Sequence, residues 1–229
     1  MKKFLLAGMI LTLCFIVAFS GCNQKKPTRV ANVTNGLIAW YPLNGNVEDA
    51  IGSNDGIIDP LFPISYTQDH LGNPNKAALF DGVDDLITIP LPGITLSPSN
   101  SFSVSLWIKT GTSVNQYPVY CGMFGFRQED GTTFKFTIVG NNTSLDLTGN
   151  VTQATWTHIV GTYDDSTLGA IFYINGQSAD TDTKLDNLGM TDINGLCLGT
   201  TWIGAIDDFR IYNRVLTGAE VNQLYKYRN

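Results

Sequence analysis

Glutamate is scarce in this chain: 3 Glu stand against 17 Asp in 229 residues. Glu favours helices, whereas Asp favours turns and oxygen-rich cation sites, so the imbalance points to strands and loops. Histidine is rarer still, and two residues leave no room for a histidine-rich transition-metal centre. Charged residues make up 15% and hydrophobic ones 43%, a balance that excludes a disordered chain, a collagen-like repeat or a coiled coil. Past the first residues there is no long apolar run, no Pro- or Ser-rich linker and no repeat between the halves. A single domain is therefore expected. No Gly-rich loop opens a helix, which removes the usual phosphate cradle. A formal charge of −6 and a pI near 4.7 exclude nucleic acid as the main partner.

The beginning of the chain is different. Met1-Lys2-Lys3 is basic, and the 16 residues from Phe4 to Phe19 are apolar except for Gly8 and Thr12. A membrane span needs about 20 residues, so this stretch reads as a secretory leader. Phe19-Ser20-Gly21-Cys22 resembles the lipobox of bacterial lipoproteins, which implies cleavage before Cys22 and acylation of that residue. Each buried lipid methylene contributes about 0.8 kcal/mol, so a multiply acylated Cys22 would hold the protein to a membrane. The chain then divides into a signal peptide (1–21), a lipidated Cys with a polar tether (22–33) and a folded domain (34–229). The expected location is the cell envelope, exported to the outer membrane or cell surface. Cys121 and Cys197 remain in the domain. Export permits a disulfide between them, while their apolar neighbours suit buried free thiols equally.

From Gly36 onward the chain reads as short alternating runs separated by Gly, Asn, Asp and Pro. Phe102, Val104, Leu106 and Ile108 share one face of a period-two run. Other expected strands are Leu37–Tyr41, Ala77–Phe80, Leu86–Ile89, Val119–Phe126, Phe134–Val139, Trp156–Tyr163, Ala170–Ile174, Gly195–Leu198 and Ala205–Tyr212. Asn175-Gly176 predicts a two-residue hairpin turn, because both positions need positive φ. Thr217 and Glu220 form a capping box, and Val221, Leu224 and Tyr225 give the helix that follows one apolar stripe. About ten strands and one short C-terminal helix favour an all-β, two-sheet jelly roll.

Several segments together carry a family pattern. They are Gly36-Leu37-Ile38-Ala39-Trp40-Tyr41-Pro42-Leu43-Asn44-Gly45-Asn46, then Asn54-Asp55-Gly56, then Ala78-Leu79-Phe80-Asp81-Gly82 and the Phe102–Ile108 run. Trp156-Thr157-His158-Ile159-Val160, Phe172-Tyr173-Ile174-Asn175-Gly176 and Ile203-Gly204-Ala205-Ile206-Asp207-Asp208-Phe209-Arg210-Ile211-Tyr212 follow in order. The chain resembles the laminin-G-like jelly-roll modules of the concanavalin A-like lectin/glucanase superfamily, from about Gly36 to Tyr225. The resemblance implies an antiparallel two-sheet sandwich, often with calcium at its rim. Calcium takes six to eight oxygens, so Asp207 is the first expected ligand, with Asn44, the Gly45 carbonyl, Asp49 and Asp81 as companions. Asp208 follows Asp207 on a strand and should point to the opposite face.

Hydrolysis of a glycosidic bond needs two carboxyls flanking it, and Glu48, Glu129 and Glu220 each lack a second carboxylate at strand spacing. His158 lacks a nucleophile and an orienting acid, and reads as a packed structural residue. The expectation is a non-catalytic surface module that binds carbohydrate. The alternatives are a protein–protein role, as an adhesin or envelope-complex subunit, and a diverged glycoside hydrolase. Candidate ligand-binding residues are those in polar or Gly-rich loop contexts: Trp202, Tyr117, Tyr66, Asn141 and Asn142. Trp40 and Trp107, in apolar strands, read as core.

Overall fold

A computed structural model describes residues 33–92, 100–111, 115–140, 143–183 and 195–226. The leader, the lipobox with Cys22, and Asn141 and Asn142 lie outside the described residues. Among those described, no helix is long and apolar enough to cross a membrane.

The strands run in chain order β1 (Leu37–Tyr41), β2 (Ile57–Ile58), β3 (Ser65–Thr67), β4 (Ala77–Asp81) and β5 (Ile87–Pro90). Next come β6 (Phe102–Thr110), β7 (Gln116–Tyr120), β8 (Phe124–Gln128), β9 (Thr133–Val139) and β10 (Ser144–Asn150). The last are β11 (Trp156–Asp164), β12 (Gly169–Ile174), β13 (Gln177–Asp182), β14 (Gly195–Leu198) and β15 (Ile203–Tyr212), followed by helix α1 (Gly218–Lys226). All pairings are antiparallel. One sheet has the order β13-β12-β11-β6-β15-β4-β3 with β1 also on β15, and the other β10-β9-β8-β7-β14-β5-β2. This is the expected two-sheet jelly roll with its C-terminal helix.

The two sheets meet through side chains that the period-two pattern turns inward. Phe102, Val104, Leu106 and Ile108 of β6 join Phe124, Phe126, Phe134 and Phe136 of the facing sheet in one core. Phe126 and Phe172 pair across the sandwich with ring centroids 5.9 Å apart. Ring size sets the sheet separation so tightly that a Cβ at Gly161 would lie 2.4 Å from Phe136.

The outer face of the larger sheet is covered as well. Val160, Tyr173 and Tyr212 pack there with Val221 and Leu224 of α1, and Val33 joins them at 1% exposure. Val33 therefore belongs to the folded body, one residue earlier than the tether boundary expected from sequence. The capping box forms: Glu220 Oε2 accepts from Thr217 N at 2.9 Å, and Thr217 Oγ1 accepts from Glu220 N at 3.3 Å. Arg214 grips the same carboxylate with both arms at 2.9 and 2.7 Å, and holds its pKa down to about 2. Asn175 and Gly176 adopt φ of 49° and 78°, as the hairpin turn between β12 and β13 requires.

Candidate functional site

The outer face of the smaller sheet is open, and its side chains follow from alternation. With Phe124, Phe126, Phe134, Phe136, Leu145 and Leu147 turned inward, Gly125, Arg127, Lys135, Thr137 and Asp146 must face out. Of these, Gly125, Arg127, Thr137 and Asp146 border a groove of about 350 Å³ together with Tyr117 and Tyr120. That volume is in the range of small-ligand sites. Tyr120 is 49% exposed and meets Tyr117 edge-on with ring centroids 5.6 Å apart. Beside it, Gly125 has no side chain; a Cβ there would sit 3.2 Å from the Val119 carbonyl and 3.8 Å from the Tyr120 ring. The groove thus has a bare floor next to an aromatic wall.

Its polar groups are pre-oriented. Thr137 Oγ1 donates to Asp146 Oδ1 at 2.7 Å. Glu129 accepts from Arg127 and Lys135, both at 2.9 Å, which fixes the two cations over neighbouring strands. An aromatic ring beside fixed acceptors and donors is the chemistry that grips a sugar, apolar on its ring face and hydroxylated at its edge.

Cys121 and Cys197 both stand as free thiols in the structure. Cys197 points outward from β14, opposite Tyr120 and Thr88, while Cys121 donates its S–H to the Phe124 carbonyl at 3.2 Å. Burial pushes the Cys121 thiol up to about 11. An alkylating reagent at pH 8 should therefore modify Cys197 and leave Cys121 unreacted in the folded protein. Mass mapping of the labelled peptides reads this directly.

The other expected ligand contacts move away from this groove. Trp202 has 0% exposure and packs edge-on against Phe134 at 5.9 Å, so it belongs to the core. Tyr66 packs half-buried against the same core, where burial raises its hydroxyl pKa. Of the described candidates, Tyr117 alone lines this groove.

The expected calcium ligands do not converge. Asp207 and Asn44 share a small cleft on the outer face of the larger sheet, with Trp40, His70, Asp208 and Arg210. Asp208 did not turn away: it adopts φ of 51° at a bulge that breaks the β15–β6 register between Asp207 and Arg210. Alternation fails there, and both carboxylates line one cleft. Asp207 Oδ2 takes His70 Nδ1 at 2.6 Å and the His70 backbone N–H at 3.2 Å. Asp208 Oδ1 takes the Trp40 indole N–H at 2.6 Å and Arg210 Nε at 3.0 Å. Trp40 is thus a cleft residue, with Arg210 stacked 4.7 Å from its ring. A guanidinium and several N–H donors occupy the place of a hard cation, so this donor set does not fit calcium.

Asp49 lies elsewhere, capping the Trp40 and Ile51 backbone N–H groups at 3.0 and 3.1 Å. Gly45 serves the adjoining turn at φ of 83°, its N–H bonded to Leu43 O. Asp81 joins Asp84 and Asp85, their carboxylate oxygens within 4.8 Å of one another.

His158 is buried and neutral as expected, with Nε2 on Ser105 Oγ at 2.9 Å. Burial pushes its pKa down from 6.5 to about 3. Between those values the unfolded chain binds a proton that the folded chain refuses, so stability falls as pH drops through the window. The slope from this group is about 1.4 kcal/mol per pH unit. A His158→Gln variant should show a flatter dependence between pH 6.5 and 4 in urea titrations. The three Glu are engaged separately: Glu48 with Asn46, Glu129 with Arg127 and Lys135, Glu220 with Arg214.

Residues 81–222 match a laminin-G-like family described as belonging to the concanavalin A-like lectin/glucanases superfamily. Among curated proteins none matches the sequence. Domain 4 of a GH43 extracellular arabinanase from Geobacillus stearothermophilus, solved with arabinotriose, superposes with a TM-score of 0.66 at 23% identity, over 83% of this chain and 98% of that one. The binding domain of Paraclostridial Mosquitocidal Protein 1 gives 0.69 at 16% identity, over 84% and 52%. The botulinum neurotoxin serotype C1 binding domain gives 0.68 at 14%, over 85% and 52%. The chain therefore spans about half the length of these toxin binding domains and nearly all of the arabinanase domain.

Proposed function

Because this chain belongs to the laminin-G-like family of the concanavalin A-like lectin/glucanases superfamily, we propose that it is a non-catalytic binding module whose open sheet receives a glycan. The observation that carries this reading is the half-exposed Tyr120 beside Tyr117, above the bare strand at Gly125 and flanked by Asp146, Thr137 and Arg127. A pyranose or furanose ring face would stack on Tyr120. Its hydroxyls would meet the Asp146 carboxylate and the free edge of the Arg127 guanidinium. The arabinanase domain solved with arabinotriose supports this choice, since it matches over its whole length. The toxin domains lend it less, because only half of each is matched.

A non-catalytic role fits the carboxylates here. Asp146, which lines the groove, is held by Thr137, and Glu129, which pairs with Arg127 and Lys135, is held by two cations. Attachment through an acylated Cys22 is part of the same proposal, with the module displayed on the cell envelope. Among the described residues, the cluster that could take calcium is Asp81, Asp84 and Asp85, none of which lines the groove.

The test is a glycan array probed with the full chain in mild detergent, with calcium and with excess chelator. Saturable binding to a related group of sugars that survives chelation is the expected result. A folded sample that binds no glycan would overturn the reading in favour of a protein partner. Turnover of a bound glycan would overturn the non-catalytic assignment.

A further inference from the structure

A second cleft, of about 420 Å³, lies on the opposite side of the molecule, on the outer face of the larger sheet beside the end of α1. Its aromatic walls are Trp107, Trp156 and Tyr225. Trp107 and Tyr225 have a structural task, since their rings stack at 5.8 Å and seat the helix on the sheet. Trp156 has none of that kind: it is half-buried and belongs to neither hydrophobic cluster among the described residues.

The polar groups at this cleft are each left with one open function. His70 stacks on Trp107 with centroids 4.3 Å apart, and Asp207 accepts from its Nδ1 at 2.6 Å. In the neutral ring that bond places the proton on Nδ1 and leaves Nε2 as an acceptor. Asn175 spends its Oδ1 on the His158 backbone N–H at 3.0 Å, so the amide NH₂ is what it offers. Lys226 supplies an ammonium. Among the described residues no carboxylate lines the cleft, although the chain carries 20 Asp and Glu against 14 Lys and Arg. Asp207 stands behind the imidazole it orients.

We infer that this cleft is a second ligand site, separate from the groove, and that it takes a saccharide bearing a carboxylate. The sugar ring lies against Trp156, a hydroxyl donates to His70 Nε2, another accepts from Asn175, and the carboxylate meets Lys226. A neutral sugar would leave the ammonium without a partner on the ligand. The groove contrasts with this, since its lining cation Arg127 is already held by Glu129.

Trimers of galacturonate, glucuronate and mannuronate, with their methyl esters as uncharged controls, test the site in the full chain. Calorimetry and tryptophan fluorescence should report binding of at least one acid trimer and none of its ester. Lys226→Gln should weaken that binding at least tenfold, Trp156→Ala should abolish it, and Tyr120→Ala in the groove should leave it unchanged. Failure of all three acid trimers, equal binding of acid and ester, or indifference to both cleft variants would overturn the inference. Loss in Tyr120→Ala with retention in Lys226→Gln would also overturn it, while leaving the groove's glycan role intact.

Discussion

Tyr120→Ala should lower glycan affinity about 30-fold while leaving the thermal midpoint where it was. The ring is 49% exposed and contacts Tyr117 alone among the aromatic side chains described around it, so removing it opens no core cavity. Its share of binding is that of a central aromatic anchor, about 2 kcal/mol, and each 1.4 kcal/mol is about a factor of ten. Tyr120→Phe keeps the stacking face and should retain most of the affinity. Calorimetry with the best glycan from the array reads both, and equal affinity of Tyr120→Ala and the parent protein would remove the groove from consideration.

Gly204→Ala should produce a large loss of stability for a single added methyl group. Gly204 sits inside β15 at φ of 151°, and a Cβ would lie 2.3 Å from the Lys109 backbone carbonyl of β6. The obstructing atom is main chain in the middle of the larger sheet, so it has nowhere to retreat. A penalty of about 4 kcal/mol is expected, and the midpoint should fall by about 10 °C for a domain of this size. Gly72→Ala is the control. It has φ of 89° but nothing within 4 Å of the added carbon, so only the conformational cost of about 1 kcal/mol applies. Similar losses in the two variants would mean that strand crowding at Gly204 is relieved by movement.

What the sequence made legible was local. The inward face of β6, the Asn175-Gly176 turn and the Thr217–Glu220 box are each written within a few residues, and each formed as expected. Strands made mainly of polar residues were not legible. β13 (Gln177–Asp182) has no buried side chain and is held by backbone pairing to β12, so it carries no alternation to read. The run Val119–Phe126 looked like one strand, yet it folds back at Cys121, whose N–H bonds to Phe124 O at 3.0 Å. The sites were harder because distance in sequence hides them. His70 gained its role from Asp207, 137 residues away. Trp202 looked like a loop aromatic, but its neighbours in space are Phe134 and the core. Asp208 broke the rule of alternation because a bulge changes the local period, and nothing in the Asp-Asp pair announces a bulge. Tyr120 had one available signal: it neighbours the inward Val119 and so had to face out.

The burial of Val33 sets where the chain enters the folded body. That residue is clamped beneath α1 on the back of the larger sheet, so any chain arriving from the membrane arrives there. With the acyl anchor proposed at Cys22, the ten residues 23–32 reach at most about 35 Å when fully extended. With that anchor in place, the larger sheet would sit on the tethered side and the smaller sheet on the side away from the bilayer. On that proposal the Lys226 cleft would lie on the tethered side of the molecule and the Tyr120 groove on the far side. On the two binding proposals, such a module would hold two glycans at once, one on each side of a single sandwich.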